Sequence, residues 1–170
     1  MRHALEGIKV LDLTGYIAGS YAAMMLGDLG AEVVKVEPPE GDPFRELQGF
    51  FGWNRGKRSI ALNLKEPKGR EVVLKLAARS DVVMENFRPS VADRLGVGYE
   101  ALSRVNPRII YCAVTAFGQD GPYKDRPGFD PLLQAMSGLM VLQGGDGPPQ
   151  YLRIALTDYY AAALAAQGIL

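Results

Sequence analysis

Five short apolar runs rich in β-branched residues recur between longer stretches of helical composition, and this alternation limits the fold more than any other feature of the chain. The runs are IKVLDLT (8–14), AEVVKVE (31–37), SIALNL (59–64), DVVMENF (81–87) and RIIYCAVTAF (108–117). Between and after them lie YAAMMLGDLG (21–30), KGREVVLKLAARS (68–80), VADRLG (91–96), YEALSRVN (99–106), FDPLLQAMSGLMVLQ (129–143) and YYAAALAAQG (159–168), which read as helices. Parallel neighbours need a crossover connection, usually a helix. Strand and helix in alternation therefore predict an α/β fold with helices on the faces of a parallel sheet. Ligands of such sheets bind outside the carboxyl ends of the strands. The segment 38–58, with its prolines, glycines and clustered aromatics, reads as a long loop, and long loops in compact domains are often functional.

At 170 residues the chain is one domain's worth of material and can bury a core without disulfides. Nineteen Lys/Arg against nineteen Asp/Glu give a net charge of zero, and no basic run stands out. A broad electrostatic attraction to nucleic acid or membrane is thereby unsupported, and a phosphorylated ligand must be met locally. One histidine, His3, and one cysteine, Cys112, exclude Cys/His metal sites and Ser-His or Cys-His pairs. Carboxylate or lysine chemistry remains. Without an apolar leader or a bilayer-length apolar run, the expectation is a cytoplasmic protein.

Cations collect near strand ends. NRGKRSIALNLK (54–65) brings Lys57 and Arg58 before one strand and Lys65 after it, whereas ENFRPSVADRLG (85–96) sets Asn86 and Arg88 at the end of another, with Arg94 in the following helix. Such groups can grip phosphates by charge-assisted bonds, although Lys57 and Arg58 alone read more simply as a solvated pair of strand ends. A dinucleotide fingerprint is not matched: GYIAGS (15–20) spaces its glycines G-x-x-x-G, and GVGYEA (96–101) follows a helix rather than a strand. Cys112 reads as a small core residue. Asp158, ahead of YYAAALAAQG, fits a helix N-cap together with Thr157. The same amides would hold a carboxylate ionised and aimed, as a nucleophile requires.

Taken together, LEGIKVLDLTGYIAGSYAAMMLGDLGAEVVKVEPPEGD, NRGKRSIALNLK, ENFRPSVADRLG, NPRIIYCAVTAFGQDGPY and GFDPLLQAMSGLM resemble, in order and spacing, the class III CoA-transferases. That family includes formyl-CoA:oxalate and L-carnitine CoA-transferases and, as relatives, the α-methylacyl-CoA racemases. The resemblance implies a Rossmann-like α/β domain, an interlocked homodimer for the full-length protein, and a catalytic aspartate at Asp158 that passes through an aspartyl anhydride and an aspartyl-CoA thioester. Carried over by position, Leu62, Lys65, Asn86, Phe87, Arg88 and Arg94 would contact CoA. Tyr16, Ile17 and Ala18 would line the acyl end, with Asp130 in the loop over it. Coenzyme A and acyl-CoA enter as substrates with a carboxylic acid acceptor. No permanently bound cofactor or metal is implied.

Three departures refine this. The racemases carry His in a G-H-D string where this chain has GFD with Phe129, so a proton-shuttling pair lacks one partner and transfer is favoured. The oxalate-directed enzymes have Gln where Ile17 stands and Arg where Pro38 stands. Family chains also run far beyond residue 170, and ALAAQGIL ends on an apolar residue without a polar stop. The expectation is the N-terminal part of the large domain, without the small domain and return segment, inactive or weakly CoA-binding by itself.

Overall fold

The computed structural model describes residues 3–170. Its strands are β1 (Lys9–Asp12), β2 (Glu32–Glu37), β3 (Arg58–Ala61), β4 (Val82–Glu85) and β5 (Ile110–Ala113). They form one sheet in the order β3-β2-β1-β4-β5, with every pairing parallel. The helices are α1 (Ala18–Asp28), α2 (Gln48–Trp53), α3 (Pro67–Ala77), α4 (Val91–Arg94), α5 (Tyr99–Val105), α6 (Asp130–Met136), α7 (Leu139–Gly144) and α8 (Leu156–Ile169). The α/β alternation expected from the sequence is thus the architecture. β1 and β4 are spatial neighbours although β2 and β3 intervene in the chain, so strand order reverses between them; that is where a crevice opens in folds of this type.

Alternate residues of the central strands enter two cores, because strand side chains point to opposite faces. Val10, Val33, Val82 and Met84 pack with Ala22, Ala23 and Leu26 of α1 and Ala162 and Ala166 of α8. On the other face, Leu11, Val36 and Val83 pack with Val73 and Ala77 of α3 and Leu102 of α5. The alanines of α1 and α8 let two backbones approach closely, which packs the first turn of α8 against the start of α1. Tyr159 fastens the same contact, with its ring edge-on to Tyr21 at 4.9 Å and its hydroxyl accepting the Trp53 indole N–H at 3.3 Å.

Several local expectations are corrected. The segment 38–58 contains α2, whose Phe50 is buried. The helical stretch 129–143 is two helices, because Gly138 takes φ of +81° and breaks the run. RIIYCAVTAF supplies only a four-residue strand at the sheet's edge, with Ile110 45% exposed. Helix α8 begins at Leu156 with Ala155 as its N-cap and no side-chain cap bond, so neither Thr157 nor Asp158 is the cap.

Two lysines and two aspartates are buried beneath the carboxyl ends of β1 and β2. Lys57 Nζ lies 2.8 Å from Asp12 Oδ2 and also donates to the Ser20 carbonyl and Asn54 Oδ1; both side chains of the pair are almost fully enclosed. The expectation of a solvated Lys57 is therefore wrong, whereas Arg58 does pair with Glu32 at the surface. Lys35 Nζ donates to the Thr14 carbonyl at 2.6 Å and lies 3.1 Å from Asp42 Oδ2, which takes no hydrogen bond of its own. Burial pushes the Asp12 carboxyl up, but the charges of Lys57 and Lys35 and bonds from Lys57 and Thr14 outweigh it and hold the pKa below the ordinary value. Burial lowers that of Lys57 despite Asp12. Removing one partner strands a charge inside the protein, so Lys57→Met is expected to cost about 3–5 kcal/mol, read as a lower urea midpoint at unchanged slope.

Candidate active site

The turn after β1 is shaped by close backbone approach. Gly19 meets the Thr14 side chain so tightly that any Cβ would overlap it, which explains the glycine spacing in GYIAGS as packing rather than phosphate binding. Tyr16 takes φ of +60°, unusual for a bulky residue. Asn86 holds this turn from β4, accepting the Gly15 N–H at 2.9 Å on its Oδ1 and donating its Nδ2 to the Gly15 carbonyl at 2.8 Å. Tyr16, Ile17 and Ala18 are thereby presented at the start of α1, whose first-turn amides receive no side-chain cap. Such uncapped amides favour a negative ligand atom.

The ENFRP segment is supported from below. Glu85 is buried; its Oε2 accepts the Phe87 N–H at 2.6 Å and its Oε1 accepts the Tyr111 hydroxyl at 3.2 Å. Burial raises the Glu85 pKa against those two bonds, and burial with the Glu85 charge raises that of Tyr111. Cys112 beside them is pushed up by burial and by Glu85, away from the reactive thiolate.

At the start of α8 the capping is done by another helix. Asp130, 4% exposed at the first turn of α6, accepts the Thr157 N–H at 2.8 Å and its hydroxyl at 2.6 Å on Oδ1. Its Oδ2 takes Gln134 Nε2 at 2.6 Å and the Tyr151 hydroxyl at 3.3 Å. Gln134, fully enclosed, exchanges bonds with both backbone groups of Leu152 and so fixes the approach to α8. Asp158, next along, is half-buried and lines the cleft. Burial, aided by the negative charge of Asp130, pushes its carboxyl up to about 6. The expectation that helix amides would keep it readily ionised is corrected: Asp130 takes the available amide, and desolvation dominates.

These segments enclose one cleft of about 490 Å³ at the carboxyl ends of β1, β4 and β5. It brings together Tyr16, Ile17, Ala18, Asn86, Phe87, Arg88, Asp130 and Asp158 from the residues expected by position. Leu62 instead lines a second depression of about 620 Å³ with Asn63, Lys68 and Gly69, where β3 passes into α3. Lys65 is exposed and lines neither; Arg94 also lines neither, and donates to Ser90 Oγ at 2.6 Å. The cleft adds Phe44, Lys124, Arg126 and Tyr151, which sequence reasoning passed over. Lys124 and Arg126 stand in GQDGPYKDRPG (118–128), where two cations between glycines and prolines are a visible sequence signal. Among the described residues no three His, Cys, Asp or Glu side chains group as metal ligands, and no helix is long and apolar enough to cross a membrane.

Comparison with known proteins decides the family. The model for CoA-transferase family III matches residues 5–170. The chain belongs to this family. It is 46% identical to succinyl-CoA:glutarate CoA-transferase of Mus musculus, over 96% of this chain and 40% of that protein. It is 45% identical to acetyl-CoA:oxalate CoA-transferase of Acetobacter aceti, over 85% of this chain and 40% of the relative. A crystal structure of a CaiB/BaiF family protein from Brucella suis superposes with a TM-score of 0.95 at 40% identity, covering 99% of this chain and 48% of that one. The chain thus spans less than half the length of these family III relatives.

The raised carboxyl predicts a pH signature in this family III chain. Asp158 binds its proton more tightly folded than unfolded, so its ionisation destabilises the fold as pH rises from about 4 through about 6, and the penalty is constant above that. Asp158→Asn is expected to raise the melting temperature at pH 8 and to change it little at pH 4, measured by calorimetric scans at both.

Proposed function

We propose that this chain carries the nucleophile and part of the CoA site of an enzyme that transfers coenzyme A between carboxylic acids. The observation that carries the reading is Asp158: a half-buried carboxylate, made more basic by its surroundings, lining a cleft at the β1/β4 switch point in a chain of family III. Relatives named for succinyl-CoA:glutarate and acetyl-CoA:oxalate transfer support the reaction class. Because those two relatives differ in both donor and acceptor, comparable identity to each selects neither for this chain.

In the proposed sequence an Asp158 oxygen attacks the thioester carbonyl, the C–S bond breaks, and the electron pair leaves on CoA sulfur, giving a mixed anhydride. The thiolate then attacks the aspartyl carbonyl, expelling the donor acid as its carboxylate and leaving an aspartyl-CoA thioester. The acceptor carboxylate displaces CoA to form a second anhydride, and thiolate attack on the acceptor carbonyl restores the Asp158 carboxylate. No net proton is transferred, and each covalent step retains the thioester's free energy. The uncapped amides at the start of α1, where Ile17 and Ala18 line the same cleft as Asp158, would serve as donors for developing negative charge on the carbonyl oxygen. Arg88, Lys124 and Arg126 supply positive charge for CoA phosphates. The chain would form the N-terminal part of the large domain.

Phe129 bears on the choice of reaction. Its ring, 60% exposed, lines the cleft beside Asp130, and an aromatic hydrocarbon cannot exchange a proton at an α-carbon. Racemisation is therefore the weaker reading, and α-deuterium washout from an acyl-CoA in D₂O would favour it.

In the full-length protein, Asp158→Ala and Asp158→Asn are expected to abolish acyl exchange and the hydroxylamine-sensitive acyl-enzyme while CoA still binds by calorimetry. Retention of both activities would sink the assignment, and binding without exchange in the parent would indicate a CoA-binding module. Attack requires the ionised carboxylate, so kcat/KM should fall about tenfold per pH unit below about 6. Asp130→Asn should move that midpoint lower, though only in part, since burial is the larger cause of the shift.

A further inference from the structure

Three aromatic rings stand in a row along the cleft, and the nucleophile alone does not account for them. Phe129 directly precedes Asp130, whose carboxylate holds the Thr157 amide next to Asp158. The Tyr16 ring centroid lies 6.3 Å from that of Phe129, tilted by 73°. Phe44 lies beyond, 5.0 Å from Tyr16 at 72°. All three line the same cleft as Asp158, and Tyr16 and Phe129 are 44% and 60% exposed, so ring surface is offered to the cleft rather than to the core. The row starts at Phe129, next in the chain to Asp130, and ends at Phe44, which is backed by Trp53 at 6.0 Å.

The far end of the row is anchored on both sides. The Phe44 N–H donates to Asp42 Oδ1 at 2.8 Å, and the other oxygen of Asp42 faces the buried Lys35 ammonium. Arg45 makes two bonds of 2.7 Å to Glu37 at the end of β2. Glu37 also accepts the Ser59 hydroxyl and the Asp42 N–H; burial opposes its ionisation, but these bonds bring its carboxyl down to about 2. Residues 42 and 45 are thus tied to β2 on either side of the ring, and Tyr16 is held by its own constrained turn. A wall built this way does not yield easily to a longer ligand.

We propose that Phe44 is a specificity-determining residue: its ring closes the far end of the acyl side of the cleft and limits the length of an apolar acyl chain carried by CoA. The inference rests on the CoA-transfer reading above. With the thioester carbonyl at Asp158, the hydrocarbon tail runs along the row of rings. A polar tail there would give up hydration without gaining partners from the ring faces. One methylene more or less in such a pocket changes discrimination by roughly tenfold or more.

The test uses the full-length protein with butyryl-CoA and octanoyl-CoA against one common acceptor, comparing the parent with Phe44→Ala and Phe44→Leu. The ratio of kcat/KM for octanoyl-CoA over butyryl-CoA is expected to rise about tenfold or more in Phe44→Ala and less in Phe44→Leu, with affinity for free CoA unchanged. An unchanged ratio, including an equal fall for both donors, would overturn the proposal and leave Phe44 as support for its loop. Should Phe44→Ala fail to fold, Phe44→Leu decides by the same ratio. Calorimetric dissociation constants for the two donors provide a second readout. If the parent binds both but exchanges neither, the transfer reading fails while the ratio of dissociation constants still decides the role of Phe44.

Discussion

The buried pairs Asp12–Lys57 and Lys35–Asp42 are the constraint on which the site depends. Both lie beneath the carboxyl ends of β1 and β2, and their partners come from four separate segments: the end of β1, the middle of β2, the arm after β2 and the approach to β3. Lys57 also bonds the Ser20 carbonyl in α1, and Lys35 the Thr14 carbonyl. Two positive and two negative charges enclosed together leave no large uncompensated charge, whereas any one alone would be costly to bury. The network joins the turn that presents Tyr16 to Ala18 with the arm that presents Phe44, so two walls of the cleft share one electrostatic foundation.

The opposite wall has a different basis. Asp130 does for α8 what no residue of α8 does for itself, taking the Thr157 amide and hydroxyl from across the cleft. Four donors converge on that carboxylate, while Asp158 one residue further along has burial and a neighbouring negative charge instead. Adjacent carboxylates thereby acquire different characters: one is spent on structure, and the other is left basic and facing the cleft. Perturbed carboxyls of this kind are characteristic of functional sites because stabilising them fully would remove their reactivity.

The alternation of β-branched runs and helices was enough to read the parallel sheet, and five ordered strings were enough to read the family. The short apolar runs that become β1 and β4, each buried on both faces, and the alanine content of α1 and α8 are local properties that survive folding with little change. The site was legible in part. Tyr16, Asn86, Arg88 and Asp130 could be named because each lies in one of those strings, and Asp158 because it heads an apolar helix, but Phe44 and Tyr151 stand in loops whose course depends on remote anchors. Lys57 was misread for a related reason: a lysine before a strand reads as solvated, and only the placement of Asp12, 45 positions earlier in the chain, makes burial tolerable.

What the sequence determined by itself was therefore the class of fold, the family and the residue types available for chemistry: carboxylates, cations at strand ends, and no imidazole within the fold's core. Tertiary structure decided how those groups divide the work. Which aspartate caps α8 and which is left facing the cleft follows from distances of 2.6–2.8 Å between α6 and α8, and a one-dimensional pattern carries no such distance. Burial and charge proximity are properties of three-dimensional neighbours, and they set the basicity of Asp158 more than the residues on either side of it do.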